Sequence, residues 1–381
     1  MPDPTVLILG CGIGGVVAAR ELRNQLPAPF RIIVIDREAR ASFPPSYLWV
    51  ATGDRRPQSI TRQRPTLSRH GIEFVTAEVR LIDVANRYVR ADSREFHYDY
   101  LVIALGAETT LETRPGLAEH AHSFYSLEGA ERLGATLRYF GGGRVVIAIT
   151  SLPYKCPPAP YEAAMLIEHF FHSRRMRQKV EIELHTPEAN PLGVAGPQVS
   201  SELRGLLAHK GIEFVPESRI ASVGGHEAVF LDGSRAAFQL LIAVPEHRAP
   251  AVVREAGLTG AAGWVDVEPA TMETRFENVF ALGDVVHVPL PGGMALPKAG
   301  VFAQSQARTV VANIVHRARG GPAPEPFDGF GRCLLEVGAN NAAVVEGDFL
   351  GGERPIEFKQ PSMAWHLMKL AYERYWLWRT Y

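Results

Sequence analysis

The chain has 381 residues, 40 Lys+Arg against 41 Asp+Glu, and three cysteines. That length fits two domains of roughly 150 residues each, and a net charge of −1 argues against nucleic acid as the main partner, because phosphate binding leaves a basic excess. A hydrophobic content of 46% excludes a mainly disordered chain, and three cysteines are too few for a disulfide scaffold and match no zinc spacing, which leaves a redox pair with one spare.

Residues 5–9 form a short apolar run followed by Gly10-Cys11-Gly12-Ile13-Gly14-Gly15. In the next segment Val16, Ala19 and Leu22 share one helical face. A second apolar run, Ile32-Ile33-Val34-Ile35, ends at Asp36. Strand, glycine turn, helix, strand and acid in this order predict a dinucleotide site. Gly10 permits the tight turn, Gly12 lets backbone approach a pyrophosphate, and Gly15 lets helix and strand pack closely. The helix N-terminus then faces the phosphates, and Asp36 can accept hydrogen bonds from a ribose. Cys11 reads as a small residue that fits between two glycines.

Residues 43–53 read as a loop or short helix over this first domain. From 55 to 69 there are five arginines and no acid after Asp54. The reading is a solvated face, with contact to acidic lipid headgroups as the alternative. Residues 98–106 (YDYLVIALG) predict a buried strand that leaves the first domain at Gly106. The segment 279–284 (VFALGD) has the same form and ends in Gly283-Asp284. Between them, strands at 144–149, 180–184 and 212–215 and helices at 161–171 and 198–209 compose a second α/β unit. The expected division is 1–110 and 241–318 for the first domain, 111–240 for the second, and 319–381 for a C-terminal region.

A nicotinamide dinucleotide in the second unit needs a glycine turn after the strand at 144–149. The sequence there is Thr150-Ser151-Leu152-Pro153-Tyr154-Lys155-Cys156-Pro157-Pro158. It holds no glycine, and prolines lack the N–H groups from which a phosphate cradle is built. A cysteine stands where the cofactor motif would be.

On these segments the chain resembles the sulfide:quinone oxidoreductase and flavocytochrome c sulfide dehydrogenase group of FAD-dependent oxidoreductases. The resemblance rests on GCGIGG with Asp36, YDYLVIALG, KCPPAPYE at 155–162, VFALGD, LPKAGVFAQSQA at 296–307 and GRCLLEVG at 331–338. It implies an α/β fold of two Rossmann-like dinucleotide-binding-type domains, as in glutathione-reductase-like flavoproteins, with FAD in the first. It also implies that Cys156 and Cys333 form a disulfide or polysulfide bridge over the flavin. Sulfide would attack one sulfur, leaving a persulfide and a thiolate, and two electrons would pass to FAD. Glu162 matches a carboxylate proposed as base in the flavocytochrome branch; a first-turn glutamate favoured by the helix dipole is the alternative. Lys298, ahead of a predicted helix, would stabilise negative charge on reduced flavin, and Asp284 would bind the ribityl or phosphate end of FAD.

Many quinone-linked members carry a third cysteine where this chain reads HSFYSLEGA at 122–130, with Tyr125 or Ser126 in its place. The C-terminus gathers Trp365, Trp376 and Trp378 with Lys369, Arg374 and Arg379. That mixture suits a helix lying in a membrane interface. No apolar run reaches the ~18 residues of a membrane span, and MPDPTVLILG lacks the basic start of a secretory signal. The expected function is therefore sulfide oxidation with a membrane quinone as acceptor, at the cytoplasmic side of the inner membrane, with room for a homo-oligomer. A cytochrome acceptor, an NADH:quinone oxidoreductase and a non-catalytic flavin redox sensor are the alternatives.

Overall fold

A computed structural model describes residues 3–380. The first sheet has five parallel strands in the order Val279–Ala281, Tyr100–Ile103, Thr5–Leu9, Arg31–Asp36, Glu73–Thr76. Its central strand Thr5–Leu9 is buried throughout, as expected of a parallel strand covered on both faces. In register, Leu9 lies beside Ile35 on one side and Ile103 on the other. Gly10, Asp36, Gly106 and Gly283 therefore emerge at one edge, the carboxyl ends of the strands, where open α/β sheets bind ligands.

The second sheet repeats the plan. Its order is Ala121–His122, Leu240–Val244, Gly143–Ile149, Val180–His185, Ile212–Val215, again all parallel. Each unit also carries a three-stranded antiparallel meander, Val79–His97 in the first and Ile220–Ala237 in the second. One boundary moves. The expected return to the first domain at 241 falls inside Leu240–Val244, which pairs with Gly143–Ile149 near the centre of the second sheet. The uniformly apolar Leu-Leu-Ile-Ala-Val is a strand buried on both faces and cannot serve as a linker.

After the helix Gly300–Arg319, an antiparallel sheet of Phe330–Gly338, Asn341–Asp348 and Glu357–Ser362 leads into the helix Met363–Arg379. The first of these strands packs on the helix Ala159–Ser173 of the second unit, and the terminal helix packs on the same sheet. The C-terminal region thus closes over the junction of the two units. Among the described residues no helix is long and apolar enough to cross a membrane.

Candidate active site at the junction of the two units

A trough follows the carboxyl edge of the first sheet. Its outer part, about 620 Å³, is lined by Gly10, Gly12, Asp36, Arg64 and Gly106 among others. Its inner part, about 270 Å³, is lined by Gly12, Gly106, Cys156, Glu162, Gly283, Asp284, Lys298 and Lys369. The shared residues Gly12, Ile13, Tyr47, Tyr125 and Lys155 make the two parts continuous.

The glycines act as the motif requires. A Cβ on Gly15 would lie 1.9 Å from the Gly10 carbonyl oxygen, so only glycine lets the helix meet the strand. Gly10 has φ 93°, the left-handed region that glycine enters without a steric penalty. A Cβ on Gly12 would meet nothing within 4 Å, because that side opens into the trough. The helix Ile13–Gln25 begins at Gly12 with no side-chain cap and no acid in its first turn. Its free N–H groups point to where an anion would sit. Asp36 accepts from the Cys11 N–H at 2.7 Å and is paired with Arg64 at 2.8 Å. Burial pushes the Cys11 thiol up to about 12, so it is inert filler.

FAD fits these residues: a ribose-side carboxylate, an uncapped helix end, an open glycine edge and an apolar inner chamber follow one another along the trough. Asp284 borders the inner chamber, and burial raises its carboxyl above the ordinary range against the pull of Lys155 and Lys298. Lys298 differs from expectation in one respect. Its ammonium already donates to the carbonyls of Asp284 and Val286, at 2.8 and 2.9 Å, and lies 3.4 Å from the centroid of the Trp264 ring. Burial lowers its pKa to about 7. Its main-chain carbonyl accepts the Cys156 N–H at 2.6 Å, which ties the two segments together.

Cys156 follows the strand Gly143–Ile149 and precedes the helix Ala159–Ser173. It sits at φ 54°, a conformation that costs a non-glycine residue about 1 kcal/mol or more. The bond to Lys298 and a second from the Ala159 N–H to its carbonyl, 2.8 Å, hold it there. The residue is exposed and lines the trough. Cys333 lies on the strand Phe330–Gly338, half-buried, next to the trough-lining Leu334. Both are free thiols in this structure. Desolvation pushes Cys156 up to about 12, helped by the charges of Glu162 and Cys333. Cys333 rises to about 11 for the same first reason. Both thiols respond to the charges of Glu162 and Lys369.

Glu162, in the first turn of the helix Ala159–Ser173, is buried and paired with Lys369 of the terminal helix. Desolvation raises its carboxyl to about 7 although Lys369 pulls the other way. A carboxyl so tuned can take up and give back a proton near neutrality.

Several contacts around the trough were not visible in the sequence. Only part of the arginine run is a solvated face: Arg56 and Arg69 are exposed, whereas Arg55 binds Glu373 of the terminal helix through Nε and Nη2, Arg62 donates to the Leu377 carbonyl, and Arg64 holds Asp36. These partners are acids and carbonyls distant in sequence, so local charge patterning had no access to them. Lys369, expected beside aromatics at an interface, is turned inward. Trp376 packs near Phe43 instead of facing outward. Tyr125 stands at the trough, its hydroxyl donating to the Lys155 carbonyl at 3.1 Å.

At the corresponding edge of the second unit the described residues turn on one another. Glu188, just beyond the strand Val180–His185, holds the position of a ribose-binding acid. Its carboxylate instead accepts from Tyr161 at 2.5 Å, Tyr154 at 3.1 Å and Thr186 at 3.2 Å. The helix that would face a pyrophosphate starts from Pro158 and contains Pro160 and Glu162 in its first turn.

Such a pair of units with a cysteine site between them defines a flavin-dependent disulfide oxidoreductase scaffold, and the chain belongs to the pyridine nucleotide-disulphide oxidoreductase family, whose model matches residues 4–307. Among individual proteins it is similar to the sulfide-quinone reductase of Aquifex aeolicus, 26% identical over 98% of this chain and 90% of that protein. The mitochondrial sulfide:quinone oxidoreductase of Mus musculus is 25% identical over 92% of this chain and 79% of its own length. The X-ray structure of the Aquifex aeolicus sulfide:quinone oxidoreductase superposes with a TM-score of 0.90, covering 99% of this chain and 91% of that one.

Proposed function

We propose that the chain oxidises sulfide at Cys156 and Cys333 and delivers the electrons through FAD to a quinone at a membrane surface. The observation that carries this reading is the replacement of a nicotinamide cradle by Cys156, at the inner end of a trough that fits FAD, beside Glu162 and Cys333.

The chemistry follows from what each group can do. As thiols, both cysteines are held protonated and are poor nucleophiles. Joined as a disulfide they have no proton to lose, and the attacking species is hydrosulfide from outside. It adds to one sulfur and expels the other as thiolate, leaving a persulfide. FAD, when bound, supplies the two-electron acceptor. Lys155 and Lys369, and Lys298 to the extent that it is protonated, place positive charge around the chamber in which negative charge develops. Glu162 is the proton acceptor, and by the resemblance Cys156 is the sulfur carrier.

Membrane contact is assigned to the outward side of the terminal helix. Met363, Leu367, Met368, Tyr375 and Trp378 are exposed there, Trp378 to 76%, with Arg374 and Arg379 among them. An exposed apolar stripe flanked by arginines fits a headgroup boundary. Replacing Leu367, Tyr375 and Trp378 with serine is expected to abolish flotation with anionic liposomes; undiminished flotation would remove this role.

Anaerobic mixing of the holoprotein with sulfide should bleach the flavin, and a short-chain quinone should restore its colour. NADH should do neither. Bleaching by NADH and none by sulfide would overturn the assignment.

A further inference from the structure

The outer and inner parts of the trough meet at a waist. Gly12, Ile13, Tyr47, Gly106, Tyr125 and Lys155 are among the residues that line both parts, and of all the residues shared Lys155 alone carries a charge. The two units contribute differently there. The first brings the start of its helix Ile13–Gln25, with N–H groups but no side-chain cap. The second brings Lys155, the residue before Cys156.

Lys155 is fixed by its main chain and left free at its tip. Its carbonyl accepts the Tyr125 hydroxyl at 3.1 Å, and the residue forms a parallel bridge with Lys298. Its ammonium lies 5.9 Å from the centroid of the Tyr125 ring, the outer limit of a cation–π contact. The acids of the trough are engaged elsewhere: Asp36 with Arg64, Glu78 with Arg80, Glu128 with Arg132 and Glu162 with Lys369. Asp284 feels the Lys155 charge, yet among the described residues no carboxylate comes within ion-pair distance of that ammonium.

The order of groups along the trough says what passes the waist. The ribose-side acid Asp36 lines the outer part only, and Cys156 and Lys298 line the inner part only. In FAD the segment between ribose and flavin is a pyrophosphate with two negative charges. N–H groups at a helix start carry partial charge, and a lysine on a four-carbon stem adds a full one as a point-charge phosphate binder.

We propose that Lys155 is a phosphate ligand of FAD contributed by the second unit, so that the cofactor joins the helix start of one unit to the sulfur-bearing turn of the other. The inference rests on FAD occupying the trough and not on the sulfide chemistry. Because Lys155 and Cys156 are adjacent, seating the phosphates also fixes the turn that presents the thiol.

The test uses the full chain stripped of FAD and reloaded, as wild type, Lys155→Met and Lys155→Arg, with affinity read from flavin fluorescence. Lys155→Met should bind FAD about tenfold more weakly or worse at low salt, the usual worth of a hydrogen bond to a charged group. The gap should narrow as salt screens the wild-type cation. Lys155→Arg should stay close to wild type. In proteins saturated with FAD, the pyrophosphate phosphorus resonances should be displaced in Lys155→Met. Unchanged affinity overturns the inference. So does a loss shared equally by Lys155→Arg, or one that leaves the phosphorus resonances in place, since either marks a packing defect. A wild-type chain that takes up no FAD would overturn the cofactor assignment and this inference with it.

Discussion

The two α/β units are built to one plan, yet only one is open. Each has a five-stranded parallel sheet with a three-stranded meander. In the first, the strand leads into glycines and an uncapped helix, and the acid after the second strand borders the trough. In the second, the equivalent turn carries prolines and Cys156, and the equivalent acid, Glu188, is covered by Tyr154 and Tyr161. A shared topology thus sets where a ligand can bind, and a handful of turn residues sets whether one does. On the proposed function, closing the second site is what makes room for sulfur chemistry at the junction, because the turn released from holding phosphates can present a thiol.

The largest test of that contrast is at the turn itself. Cys156→Ser should abolish bleaching by sulfide while FAD stays bound, since the trough's glycine edge belongs to the other unit. Absorbance spectra before and after anaerobic sulfide check both halves, and retained bleaching would mean that the second unit's turn takes no part. A smaller effect is expected from Glu162→Gln. The carboxyl is neutral below about 7 and charged above it, so a base at this position makes sulfide-driven bleaching rise with pH through about 7. The ionisation of hydrogen sulfide to hydrosulfide lies in the same range and is shared by both proteins. The difference between the two pH profiles is therefore the measurement, and superimposable profiles would remove Glu162 as base. The smallest effect belongs to the closed site. Tyr154→Phe and Tyr161→Phe should each cost about 1 kcal/mol in denaturant unfolding, the usual worth of one hydrogen bond. Neither should confer oxidation of NADH, because the prolines still withhold the necessary N–H groups. An NADH activity in either variant would show that the tyrosines alone keep the cofactor out.

Much of this contrast was legible in the chain because it is local. Glycine spacing, the terminal Asp36, prolines in place of glycines and the two cysteine motifs each lie within a few residues. The trough gathers Gly10, Gly12, Asp36, Gly106, Cys156, Glu162, Gly283, Asp284 and Lys298, while Gly15 packs behind it and Cys333 beside it. What escaped was set by partners far away in sequence. Arg55 and Lys369 read as surface cations, and only the fold places Glu373 and Glu162 against them. Strand Leu240–Val244 read as the edge of a returning domain, because an apolar run does not declare which sheet it enters.

The terminal helix has a practical consequence for anyone wishing to remove its exposed apolar stripe. Its inner side supplies Lys369 to the sulfur site and Glu373 to Arg55 and Ser46, so cutting it away would strand Glu162 beside an empty wall. The stripe has to be changed by substitution, residue by residue, with the helix kept.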